Sequence, residues 1–219
     1  MSSGGAPDPY CGVPYSRSFP FDRWREPRRE AIQALAQAHA QLGEVDGPGR
    51  PLEIGRPVAH AYVLRVVAEF QAFARDLHDL AAETMIRLSG ADASSQAMLI
   101  AAATGGRMID RGNADLRSLE MDFRRIGVTG LSGRIAVHSA RWSSTSTWRG
   151  DQAYYQDLIE LRNALAHGNQ QQLDRLRSRG VLDTVSWARD RLPGLGRTAR
   201  ALDRVVWDHL HSAFGRNPW

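Results

Sequence analysis

The longest run of regularly spaced apolar positions lies between Val58 and about Leu88, where Val66, Phe70, Phe73, Leu77 and Leu80 recur at steps of three and four. A helix of 3.6 residues per turn places such positions on one face, so the pattern predicts a long amphipathic helix and not a strand. On the same wheel Arg65, Glu69 and Asp76 gather along one flank, with Glu69 touching the apolar edge. They read either as an i,i+4 pair of Arg65 with Glu69 beside a solvated Asp76, or as the border of a groove.

Other elements follow from the same periodicity and from the Gly and Pro that interrupt it. Trp24 to Leu42 predicts a helix with Pro27 near its first turn, and a Gly/Pro-rich link runs from Gly43 to Pro57. Residues 1–20, with Pro7, Pro9, Pro14 and Pro20, read as a flexible tail. Residues 1–57 are therefore expected to form a leader, one helix that could be an arm, and a linker, with the main helical domain over 58–219. Residues 94–127 carry one or two helices, interrupted near Gly105-Gly106 and Gly112-Asn113 and closing at Gly127. From Asp151, expected as an N-cap, a helix runs through His167 with Tyr154, Leu158, Leu161 and Leu165 as its buried stripe, and Gly168 stops it. Gln170 into Arg179 is a further helix. A last one, bent or broken at Pro193-Gly194, reaches Phe214 through Leu202, Val205, Val206 and Leu210. Together these elements predict an all-α bundle.

Val128 to Gly150 breaks the pattern: Gly, Ser and Thr accumulate, acids vanish, and Arg134, Arg141 and Arg149 alternate with His138, Trp142 and Trp148. Such a loop could hold phosphates and stack bases, which makes Arg134, Arg141, Trp142, Trp148 and Arg149 candidate RNA-binding residues. An ordinary connector or a short hairpin is the alternative.

Composition narrows the classes of function. With 42% hydrophobic residues in 219 the chain can bury a sizeable core. The beginning of the chain has neither a basic start nor an apolar run, and no stretch of about 18 apolar residues occurs, so a soluble cytoplasmic protein with no membrane partner is expected. One cysteine, Cys11, allows neither an intrachain disulfide nor a cysteine-based metal site. No His pair at metal-binding spacing is joined by suitable partners, no Gly-rich phosphate loop occurs, and no cofactor or metal is expected. Every basic side chain is Arg. Residues 128–219 hold thirteen Arg against eight acids, while 1–57 and 58–127 are balanced at seven against seven and eight against nine. The basic excess therefore falls where the chemistry below is found, which favours a polyanionic partner.

That chemistry is carried by Arg162-Asn163-Ala164-Leu165-Ala166-His167-Gly168. Arg offers a bidentate, permanently charged donor to phosphate, and imidazole titrates near neutrality. The spacing alone is cheap: 28 Lys+Arg and 7 His in 219 residues give about one such pair by chance, and Arg204 to His209 repeats it. Residues five apart also point about 140° from each other on a straight helix. A turn at Gly168, the reach of an Arg side chain, or a two-fold dimer that packs this helix against its copy would each bring Arg162 and His167 to one cleft. Pairing of Arg162 and His167 with acids such as Glu160 or Asp157 is the alternative. His60, His78, His138, His209 and His211 read as ordinary polar residues.

Glu160-Leu161-Arg162-Asn163-Ala164-Leu165-Ala166-His167-Gly168-Asn169 resembles the signature helix of HEPN domains (higher eukaryote and prokaryote nucleotide-binding), in the form of bacterial members with an Arg-Asn-x-x-Ala-His-Gly core. Glu69 to His78 and Asn217-Pro218-Trp219 are similar to segments of the same family, and the resemblance spans 58–219. It implies a HEPN-like helical bundle, usually dimeric, whose many metal-independent ribonucleases serve toxin–antitoxin and phage-defence systems. RNA and an antitoxin or other defence protein are the implied partners. Carried to this chain, His167 is the general acid or base at the ribose 2′-hydroxyl or leaving 5′-oxygen, Arg162 stabilises the transition-state charge, and Asn163 orients the phosphate or the ring. Glu69, Asp76 and Glu160 are candidate supporting residues. Where nucleotidyltransferase-regulated members carry a Tyr two residues after the His, this chain has Asn169, so control by adenylylation there is not expected. Since some HEPN domains lack nuclease activity, a non-catalytic dimeric module that binds RNA, nucleotide or a partner protein is the alternative.

Overall fold

In the computed structural model, which describes residues 15–45, 55–112, 114–140 and 148–219, helices follow one another with short connections. They are α1 (Phe19–Arg23), a π-helical turn (Trp24–Arg28), α2 (Arg29–Val45), α3 (Gly55–Leu88), α4 (Ala93–Thr104), α5 (Met108–Arg111) and α6 (Leu116–Arg124). Then come α7 (Leu131–Ala140), α8 (Trp148–Ala166), α9 (Gln170–Ser178), α10 (Val185–Arg189) and α11 (Leu192–Phe214). Among the described residues the fold is all-α, with no strand. No helix there is long and apolar enough to cross a membrane.

The axis of the fold is α3, 34 residues long, or about 51 Å at 1.5 Å per residue. Neither Gly nor Pro interrupts it after Pro57, and Val66, Phe70, Phe73 and Leu77 are buried as the period predicts. Against this helix pack α2, α4, α8 and α11. On α11, Leu202, Val205, Val206 and Leu210 are buried, and the break expected at Pro193-Gly194 lies instead at Asp190 and Arg191, between α10 and α11. The short α10 ends at Arg189, and Pro193 sits in the first turn of α11, where its missing N–H costs nothing.

The segment before residue 57 does not stand apart as an arm. Phe21, Trp24 and Ile32 belong to the same buried cluster as Phe70 and Phe73, and Trp24 meets Phe70 edge-on at 5.6 Å. Ser18 and Tyr15 both donate hydrogen bonds to the buried Asp203 of α11. Trp219 donates its ring N–H to the Ser16 carbonyl at 3.1 Å. The helix also begins earlier than Trp24, with Ser18 as its N-cap. Pro27 is accommodated by the π-helical turn, because a residue without an N–H removes one rung of the ladder and the turn widens.

Three further expectations are corrected. The stretch 128–150 is not one loop: Leu131 to Ala140 forms α7, packed on α11 with Leu131 and Ile135 buried. The i,i+4 pair of apolar residues outweighs the Gly and Ser content. In α8 the buried aromatic is Tyr155, 1% exposed, and not Tyr154, 43% exposed. Asp151 lies inside the first turn of that helix instead of capping it, buried and ion-paired with Arg197 of α11 at 2.6 Å.

Candidate cleft at the end of helix α8

The end of α8 is built by its sequence. Ala164, small and buried, lets the helix lie close against the core, while Gly168 takes φ +60°, a left-handed conformation open to glycine without penalty. The backbone N–H of Gly168 then bonds the Leu165 carbonyl at 3.3 Å and that of Asn169 bonds the Ala164 carbonyl at 2.9 Å, the two bonds of a Schellman stop. Asn169 at once caps the next helix, its side chain accepting from the Gln172 N–H at 3.1 Å. His167 is thus held at a corner between two helices, with its side chain exposed.

At this corner Arg162, Asn163 and His167 line one cleft of about 630 Å³, together with Gln71, Asp110, Arg111, Gly112 and Gln172. The angular objection to the Arg/His spacing is met within one chain, because His167 lies past the last helical residue. Arg162 donates to the Asn163 side-chain oxygen at 3.2 Å. The His167 side chain makes no hydrogen bond or ion pair with a described residue, and among the described residues Arg162 forms no ion pair. The acids that could have neutralised them are engaged elsewhere: Asp157 and Glu160 both bind Arg179, Glu160 at 2.9 Å. Burial raises the Asp157 carboxyl above its ordinary range, against the pull of Arg179.

The second wall is α5, a single turn that would not persist alone. Three sets of side chains hold it. The Asp122 carboxylate accepts from the Met108 and Ile109 N–H groups at 2.9 and 2.8 Å. The Gln71 amide donates to the Ile109 and Gly112 carbonyls at 2.5 and 2.8 Å. Asp110 is gripped by Arg75 at 2.8 Å and by the buried Arg107 at 3.0 Å. Behind them His78 donates from Nε2 to the Asp122 carbonyl at 3.0 Å and faces Arg107 with Nδ1 at 3.1 Å. Burial pushes its pKa down and Arg107 adds to that, which keeps it the neutral acceptor this contact needs. No sequence signal marks Gln71, Asp110, Arg111 or Gln172 as cleft residues; only the Gly112-Asn113 break hinted at a turn there.

The other expected residues are spread over the molecule. Glu69 is buried between Arg28 at 2.7 Å and Arg65 at 2.5 Å, and Asp76 binds Arg28 at 2.7 Å. Neither lines the cleft; they anchor the segment before residue 57 to α3. The Arg65–Glu69 pair is present, with Arg28 as the partner that periodicity on one helix could not reveal. Glu160 faces Arg179 and Gln156, beside the cleft and outside it. Arg134 sits on α7, where it donates to the Val205 carbonyl at 3.1 Å, so it is not a loop residue. Arg149 is exposed on the first turn of α8. Trp148 begins that helix, and its side chain, like Arg141, Trp142 and Cys11, lies outside the described residues.

The repeated spacing Arg204/His209 has another environment. Arg204 lies 2.8 Å from the buried Asp208 carboxylate and 4.9 Å from the ring centres of both Tyr15 and Trp207. His209 faces the Ile126 carbonyl at 3.0 Å, and burial lowers its pKa. A larger groove of about 1020 Å³ lies across Gly168, bordered by Leu165, Leu173 and Val185. Its one acid, Asp183, is occupied by Arg177 at 2.9 Å and His60 at 3.2 Å. These bonds outweigh burial and hold its carboxyl below the usual range. The smaller cleft is the one that brings Arg162, Asn163 and His167 together. Among the described residues no three His, Cys, Asp or Glu side chains converge as a metal site would require. No protein-family model, curated protein or solved structure matches the chain.

Proposed function

We propose that the chain is a metal-independent endoribonuclease of the HEPN kind, acting at the α8 cleft. The observation that carries this reading is the convergence of Arg162, Asn163 and His167 on one open cleft, with the imidazole exposed and the neighbouring acids tied to Arg179. An uncommitted cation beside an uncommitted imidazole is the minimum for phosphodiester cleavage by the ribose 2′-hydroxyl. His167 takes the 2′-hydroxyl proton or protonates the leaving oxygen, and solvent water makes the other proton transfer. The 2′-oxygen bonds to phosphorus, the bond to the 5′-oxygen breaks, and a 2′,3′-cyclic phosphate and a 5′-hydroxyl result. Arg162 offers a charged donor to the phosphorane-like transition state, and Asn163, bonded to Arg162, orients the guanidinium or the phosphate.

Purified protein incubated with total RNA and excess chelator is expected to yield cyclic phosphate ends, and His167→Ala to abolish them. Equal trace cleavage by both proteins overturns the proposal. The resemblance also carries a homodimer, to be read by sedimentation, and a toxin–antitoxin or defence role. Expression of the wild type is then expected to arrest growth where His167→Ala does not.

A further inference from the structure

We infer that the α5 wall of the cleft is a second phosphate site with Arg111 as its cation, so that the substrate is a single-stranded RNA held at two successive phosphates. This rests on the reading of the cleft as an RNA-cleaving site and names what that site binds. Arg111 is the last residue of α5 and is exposed. Its side chain makes no hydrogen bond or ion pair with a described residue, and its guanidinium rests beside Gly106, where a Cβ would come within 3.1 Å of it. The mount is stiff: Asp122 holds one end of α5, Gln71 the other, and Arg75 and Arg107 clamp Asp110 between them. All these contacts are made without Arg111, so stability of the turn does not account for that residue.

The charge of the cleft points the same way. Its acid, Asp110, is neutralised by two Arg, which leaves Arg162 on α8 and Arg111 on α5 as the cations that two different elements contribute to the lining of one space. At about 630 Å³ that space far exceeds one phosphate. A mononucleotide satisfies one guanidinium; a strand brings a second phosphate to the other. A cation fixed on a pinned turn gives up little conformational freedom when it binds.

The test uses the full chain carrying His167→Ala, so that RNA stays intact, and a labelled oligouridylate titrated between about 50 and about 200 mM salt. Adding Arg111→Ala is expected to weaken binding about five- to ten-fold and to lower the slope of log affinity against log salt by about 0.7, one phosphate contact on a single strand. Arg111→Lys is expected to keep the slope, and uridine monophosphate to lose less than about two-fold. Arg87→Ala, on α3 about 24 Å along the axis from Gln71, serves as the control for general charge. Equal losses for strand and monophosphate, or equal losses from Arg87→Ala and Arg111→Ala, overturn the second site. Arg111-dependent binding in a wild-type protein that cleaves nothing overturns the ribonuclease reading and leaves the second site standing; cleavage without that dependence does the reverse.

Discussion

Two Arg residues in this chain are followed five positions later by His, and the fold treats them oppositely. Arg204 and His209 lie in the middle of α11, where an ideal helix sends them to different neighbours: Arg204 to Asp208, Tyr15 and Trp207, His209 to the Ile126 carbonyl. Each is consumed by packing. Arg162 and His167 straddle the end of α8, where the left-handed Gly168 turns the chain, and both line one open cleft. The same spacing becomes a structural pair in one place and, in the proposed reading, a reactive pair in the other, and the difference is the helix terminus.

The contrast breaks first at His167. His167→Ala is expected to lower RNA cleavage by about 10²–10⁴ with melting unchanged, while His209→Ala lowers the melting temperature and leaves cleavage per folded molecule intact. Gel assays beside thermal melts read both; loss of activity in His209→Ala alone would reverse the assignment. Arg162→Ala is expected to cost about 10²–10³ in rate, with Arg162→Lys recovering part of it, since an ammonium supplies the charge without the fork.

Smaller effects sharpen the structural half. Arg204→Ala leaves the buried Asp208 with His138 alone, at 3.0 Å, and is expected to cost about 2 kcal/mol, or about 4–8 °C in melting temperature. Beside it, burial raises the Asp203 pKa to about 6, against the hydrogen bonds of Ser18 and Tyr15. The folded state therefore takes up this proton before the unfolded chain does, and stability gained below the unfolded value is lost as pH rises through about 6. From pH 7 down to about 4.5 the wild type is expected to gain about 1–3 kcal/mol relative to Asp203→Asn, measured by urea unfolding at each pH. A parallel pH dependence of the two would refute it. Gly168→Ala forces a side chain into the left-handed region and is expected to cost about 1 kcal/mol, with a modest drop in cleavage as His167 shifts.

What could be read from sequence was what lies along one helix. The stripe Val66, Phe70, Phe73 and Leu77 and the stop at Gly168 are local patterns found in the fold, whereas Pro193-Gly194 marks the first turn of α11 and the break lies just before it. The register of α8 was misjudged by one aromatic because Tyr154 and Tyr155 are adjacent and either fits the period within its tolerance. Partners drawn from distant segments left no local trace. Arg28 lies 41 residues before Glu69, Arg107 lies 29 after His78, and Gln71 reaches α5 from the middle of α3. The pair Arg162 and His167 was visible as a motif, whereas the wall that faces it, with Arg111, required the fold.

The corner between α8 and α9 has one more consequence. Only three residues, His167, Gly168 and Asn169, separate the two helices, and each of their backbone N–H groups is bonded. The cleft should then be more sensitive to the number of residues than to their kind. One residue inserted after Gly168 would turn α9 by about 100° and carry Gln172 off the cleft wall, with every cleft side chain still present. Homologous chains that share this site are expected to vary in many surface letters and to keep this interval free of insertions and deletions.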